Sequence, residues 1–165
     1  MNLLKSVNGM KITGQGPRIV RLTIPAILLA LFLYVKLPAI SVLPEPHELY
    51  HVAGIFLITA GCLLWLTAII QLLRDFPKGK LVTKGAFAVC RNPIYASYAL
   101  FIIPGISLLF NTWTGLLPSF AMSVAICTLC KKEESDLERI FGEEFKRYRR
   151  KCGPLFPTFR RERNI

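Results

Sequence analysis

Basic residues are missing from most of the middle of this chain. None lies between Arg91 and Lys131, and only Lys36 lies between Arg21 and Arg74. Yet the 165-residue sequence holds 21 Lys and Arg against 10 Asp and Glu, a net charge of +11. The rest of the basic residues gather in three places: Lys5 to Arg21, Arg74 to Arg91, and Lys131 to Arg163. Cations confined to alternate connections are the positive-inside pattern of a membrane protein. The basicity is thereby explained by topology and contact with anionic lipid, and no nucleic-acid partner is needed. Histidine is scarcer still, with His47 and His51 alone. With Glu48 between them, His47-Glu48-Leu49-Tyr50-His51 matches the spacing of a zinc protease in full. Such an enzyme also needs a third ligand and a substrate cleft, and here only Glu45 stands near, at the outer mouth of a span. Coincidence is the better reading, and no metal is expected. The five cysteines, Cys62, Cys90, Cys127, Cys130 and Cys152, are odd in number and lie in or near apolar runs, which argues against a disulfide framework. Cys127 and Cys130 have C-x-x-C spacing, but no second pair or nearby His supports redox or metal chemistry. A cleavable signal is lacking too, because the first apolar run is too long for one and has no small-residue cleavage site.

What the chain has in quantity is apolar sequence, 53% of residues, with a mean hydropathy of +0.45. It comes in long runs, which points to an integral membrane protein. The spacing predicts spans at Ile19 to about Leu37, His51 to Leu73, Ile94 to Phe110 and Trp113 to Cys130, each near the roughly 20 residues that cross a bilayer core. Gly54, Ala60 and Gly61 offer close helix contact in the second. Asn111-Thr112 leaves so little room that the third and fourth form an antiparallel hairpin, with Trp113 as an interfacial anchor. The expected fold is all-α and integral to the membrane, with about four transmembrane helices plus a cytoplasmic C-terminal amphipathic helix. It forms one domain over 1–165: a cytoplasmic N-terminal segment (1–18), helices and loops (19–130) and a cytoplasmic C-terminal segment (131–165). Both termini are then cytoplasmic.

Two islands stand out. In Gly85 to Tyr98, GAFAVCRNPIYASY, a basic loop passes abruptly into an apolar helix. Pro93 suits a first helical turn, needing no N–H bond there, with Arg91 and Asn92 just ahead and Tyr95 inside it. A guanidinium, an amide and a phenol at a helix start suit a carboxylate or phosphate. On these residues alone the plainer account is preferred, with Arg91 marking the cytoplasmic end of a span and Tyr95 belonging to an aromatic belt. The second island begins after Cys130, where Leu137, Ile140, Phe141, Phe145 and Tyr148 recur at helical intervals in a charged run broken near Gly142. Glu133 and Glu134 sit there directly beneath a span. The negative leaflet and the helix dipole both oppose carboxylates at that place, so a positive partner is expected, and Arg91 is the obvious one.

Taken together, Leu81-Val82-Thr83-x-Gly85, Arg91-x-Pro93-x-Tyr95 and Glu133-Glu134-x-x-Leu137-x-x-x-Phe141-Gly142-x-x-Phe145-x-x-Tyr148, ending in Leu155-Phe156-Pro157, resemble the integral-membrane methyltransferases. These include the isoprenylcysteine carboxyl methyltransferases and the phospholipid N-methyltransferases. The resemblance implies methyl transfer from S-adenosyl-L-methionine at the cytoplasmic face, to a lipid or lipidated small acceptor that enters from the bilayer. It implies Gly85, Arg91, Asn92, Pro93, Tyr95, Glu133 and Glu134 as cofactor contacts, with Arg91 and Glu134 carrying the reaction. The family usually has His where this chain has Asn92, which can hydrogen-bond but not titrate. Two other readings stay open: an NADPH-dependent membrane reductase of the sterol-reductase type, with a similar Arg-x-Pro-x-Tyr border, and a non-catalytic lipid-binding adaptor.

Overall fold

A computed structural model describes residues 15–75 and 78–156. The segment up to Gly14, Phe76-Pro77 and the stretch from Pro157, the last residue of the Leu155-Phe156-Pro157 motif, lie outside the described residues. Those described form helices α1 (Gly16–Lys36), α2 (Pro38–Ser41), α3 (His47–Asp75), α4 (Ala86–Val89), α5 (Pro93–Leu109), α6 (Leu116–Phe141) and α7 (Glu143–Lys151). Among the described residues there is no strand, only an isolated bridge between Val42 and Thr112.

Prolines set several boundaries. Pro17 opens α1, and Leu37, the residue before Pro38, is pushed out of the helical region to φ −129° and ends it. The Ser41 hydroxyl ties the two helices across the break, donating to the carbonyls of Leu33 and Leu37 at 2.7 and 2.6 Å. Inside α5, Pro104 offers no N–H to the carbonyls one turn back, and the ladder just before it widens into a π-helix over Ser97–Ile102. The Ser119 hydroxyl of α6 donates to the Ala99 carbonyl in that stretch.

Among the described residues two helices, α1 and α3, are long and apolar enough to cross a membrane. The 29 residues of α3 make a rod of ~44 Å, more than a bilayer core requires. It begins at His47, four residues before the expected start. The expected third span is α5, shorter than the ~20 residues a crossing helix needs. The expected fourth does not stop at Cys130. It runs on through the charged stretch to Phe141 as one 26-residue helix, because nothing between Lys131 and Phe141 breaks it. Gly142, at φ +53°, does, and turns the chain into α7.

Helices α3 and α5 approach closely through glycine. A Cβ on Gly54 would come 2.8 Å from the Gly105 carbonyl, and one on Gly105 would come 2.7 Å from Ile58. Helix α1 packs along α6, and the core between them joins Ile19, Met122, Ala125, Ile126 and Cys130 to Cys90, Ala96 and Ala99. At one end of the molecule the hairpin turn, with Asn111 at φ +50°, is tied to α2: the Thr112 hydroxyl donates to the Ser41 carbonyl at 2.7 Å and the Trp113 indole to Ile40 at 2.7 Å. The basic border and α7 lie at the other.

Candidate functional site

The site is assembled where the loop before α5, the lower part of α6 and α7 meet. Gly85 starts it. Its φ of +60° suits glycine, and a Cβ there would lie 2.0 Å from the Gln71 amide nitrogen, so the loop crosses the end of α3 only because no side chain stands in the way. Gln71 completes the crossing by accepting the Ala86 N–H at 3.1 Å. The chain then extends through Cys90, and Arg91 and Asn92 pair with the C-terminal segment. Arg91 N donates to the Gly153 carbonyl at 2.9 Å, and Asn92 donates to Pro154 from its backbone at 3.3 Å and its amide at 3.2 Å. Pro93, buried, opens α5.

The Arg91 side chain is almost wholly committed. Its Nε and Nη2 reach one oxygen of Glu134 at 2.8 and 2.6 Å, while Nη1 donates to the carbonyls of Arg149, at 3.2 Å, and Cys152. Glu134 is 7% exposed and serves two cations, with Arg149 3.6 Å from its other oxygen. Arg149 in turn donates to Glu138 at 3.2 Å. The expected partnership of Arg91 with the acids is therefore present, but with Glu134 alone.

Glu133 points elsewhere. Neighbours on a helix are about 100° apart, and this carboxylate accepts the backbone N–H of Gln15, at the entry to α1. Tyr95 meets the same turn, since a Cβ on Gly16 would lie 3.4 Å from its hydroxyl. Among the described residues no Lys or Arg pairs with Glu133. Burial pushes its carboxyl above the usual range; the Gln15 N–H opposes that rise, and the charges of Asp136 and Glu134 add to it.

Helix α7 closes the site from below. Its Phe145, Tyr148 and the following Cys152 are buried against Leu81, Leu137 and Phe141. The apolar face of this amphipathic helix is thus filled by protein. Tyr148 donates to the Phe87 carbonyl at 2.7 Å and Cys152 to Ala88 at 3.1 Å. Burial also lifts the Cys90 thiol to about 11, which leaves it un-ionised at neutral pH.

Sequence reasoning missed Arg149 and the carbonyls of Cys152, Gly153 and Pro154. A backbone carbonyl carries no residue-type signal, and Arg149 is one of several arginines in a basic helix. His47 of the zinc-protease spacing has its Nε2 3.1 Å from the Leu43 carbonyl. Among the described residues no group of three or more metal-binding side chains occurs.

A family model for phospholipid methyltransferases matches residues 49–144, more than half the chain. The chain belongs to the phospholipid methyltransferase family. No curated protein and no solved structure matches it. The match takes in every site residue from Gly85 to Glu134. It leaves out α1 and nearly all of α7; in this phospholipid methyltransferase family member Gln15, at the entry to α1, bonds to Glu133 and Gly16 lies against Tyr95, while Arg149 of α7 bonds to Glu134 and Arg91. It also favours methyl transfer over the reductase and adaptor readings.

Proposed function

We propose that the protein transfers a methyl group from S-adenosyl-L-methionine to a phospholipid-like or lipidated acceptor at the cytoplasmic face of a membrane that it crosses more than once. The observation that carries this reading is the buried Arg91–Glu134 pair, which joins the two family islands 43 residues apart at the end of an apolar helix pair. Gly85, Arg91, Asn92, Pro93, Tyr95, Glu133 and Glu134 wall the donor site.

The residues present fit that donor. Glu133, whose carboxylate accepts the Gln15 N–H, shapes the wall of the donor site on the α1 side. The half-exposed Arg149 suits a carboxylate. Bound S-adenosylmethionine supplies a methyl group on a sulfonium, a centre that departs readily as a neutral thioether. What the chain must add is alignment and exclusion of water. Arg91 and Glu134, bonded to each other and to α7, move no proton; they hold the C-terminal segment across the border. Asn92, where the family usually has His, spends its amide on Pro154, which is an orienting role that needs no titration. Cys90, Cys130 and Leu155, all at 5% exposure or less, keep this end dry. The acceptor enters sideways from the bilayer.

Titration calorimetry of the detergent-solubilised protein tests the reading. Wild type is expected to bind S-adenosylmethionine, and Arg91→Ala and Glu134→Ala to bind at least about tenfold more weakly, since each strands a buried charge. Stabilisation by NADPH but not by S-adenosylhomocysteine would overturn it.

A further inference from the structure

We propose that the start of α1, which lies outside the family match, is a wall of the donor site, and that Glu133 is the positioning residue that seats it. The two adjacent acids then divide their work, Glu134 fixing the C-terminal segment and Glu133 fixing the N-terminal helix. The inference rests on the donor site of the preceding section.

Three contacts fall within one turn of α1. Gln15 gives its backbone N–H to Glu133, Gly16 lies against the Tyr95 hydroxyl, and Ile19 is 0% exposed in the core beside Cys90 and Cys130. Glu133 and Tyr95 come from different helices and from both family islands, yet they converge on a segment that the family match omits. The carboxylate has no cation among the described residues. It accepts the Gln15 N–H at the entry to α1, the positive end of that helix. Moving α1 away would take that N–H from the carboxylate, so the helix entry and the acid hold each other in place.

A backbone change separates this role from direct contact with the donor. Gln15→Pro deletes the N–H that Glu133 accepts while leaving Glu133 intact, and the φ of −86° at position 15 is near what proline adopts. Hydrogen exchange of the full-length protein in nanodiscs reads the seating without any ligand. Both Glu133→Ala and Gln15→Pro are expected to raise exchange in residues 16–20 and to leave residues 150–156 unchanged. Glu134→Ala is expected to do the reverse. With donor present, each of the first two should weaken S-adenosylmethionine binding about tenfold, and the double variant should be no weaker than either alone. Glu133→Gln, which still offers an oxygen to Gln15, should bind nearly as wild type. A loss in Glu133→Ala and Glu133→Gln with Gln15→Pro unaffected would make Glu133 a direct ligand and overturn the proposal, as would unchanged exchange in α1. If wild type binds no donor, the donor-site reading fails and takes the wall with it, while the exchange pattern still decides whether Glu133 seats α1.

Discussion

Arg91 and Glu134 show how a buried ion pair acts mainly through what it prevents. Replacing one partner leaves the other charge desolvated, a cost of about 3–5 kcal/mol, whereas the intact pair adds little net stability. Glu134→Ala should therefore lower unfolding stability by about 3 kcal/mol and Glu134→Gln by less, as measured by thermal unfolding in detergent. Glu133 carries a pH signature of opposite origin. Its folded pKa is raised, so protons bind more tightly to the folded state. Its contribution is complete below the ordinary carboxylate pKa of about 4.3 and is lost as pH rises through the raised folded value. Glu133→Gln should accordingly gain stability relative to wild type as pH is raised from 4 to 7, and a flat difference across that range would contradict the assignment.

At the scale of the element, α5 is held by what its neighbours leave out. The close pass of α3 over Gly105 has no room for a methyl group, which would meet Ile58 at 2.7 Å and the Gly54 carbonyl at 2.9 Å. Gly105→Ala should destabilise by about 1–3 kcal/mol, as overpacking does elsewhere. Thermal unfolding beside Gly79→Ala, a position with open space but a positive φ, separates helix contact from backbone strain. The π-turn ahead of Pro104 is the second adjustment, and the Ser119 hydroxyl that reaches it ties α5 to α6 between the hairpin turn and the site.

Over the whole molecule the two ends are fastened differently. The hairpin end is closed by a hydroxyl and an indole on carbonyls of α2, the basic end by charge and by the carbonyls of Arg149, Cys152, Gly153 and Pro154. Ending the chain at Lys151 removes the Cys152, Gly153 and Pro154 acceptors of Arg91 and Asn92. That truncation should abolish S-adenosylmethionine binding in calorimetry while the protein still extracts as an apolar-helix membrane protein. Phe32, Phe56 and Leu63 point outward from α1 and α3, as side chains facing lipid would.

The sequence alone determined the helical class, the apolar runs, the break at Gly142 and the attraction between Arg91 and an acid beneath the next helix. Each rests on composition or on charges that cannot stay unpaired. Only the tertiary structure decided that Glu133 and Glu134 part company, that α6 carries straight on into the charged stretch, and that Arg149 and three backbone carbonyls complete the setting of Arg91. Residues next to each other in sequence look alike on paper, but one helical step turns them about 100° apart. What each then meets depends on other segments, the entry to α1 for Glu133 and Arg91 with α7 for Glu134.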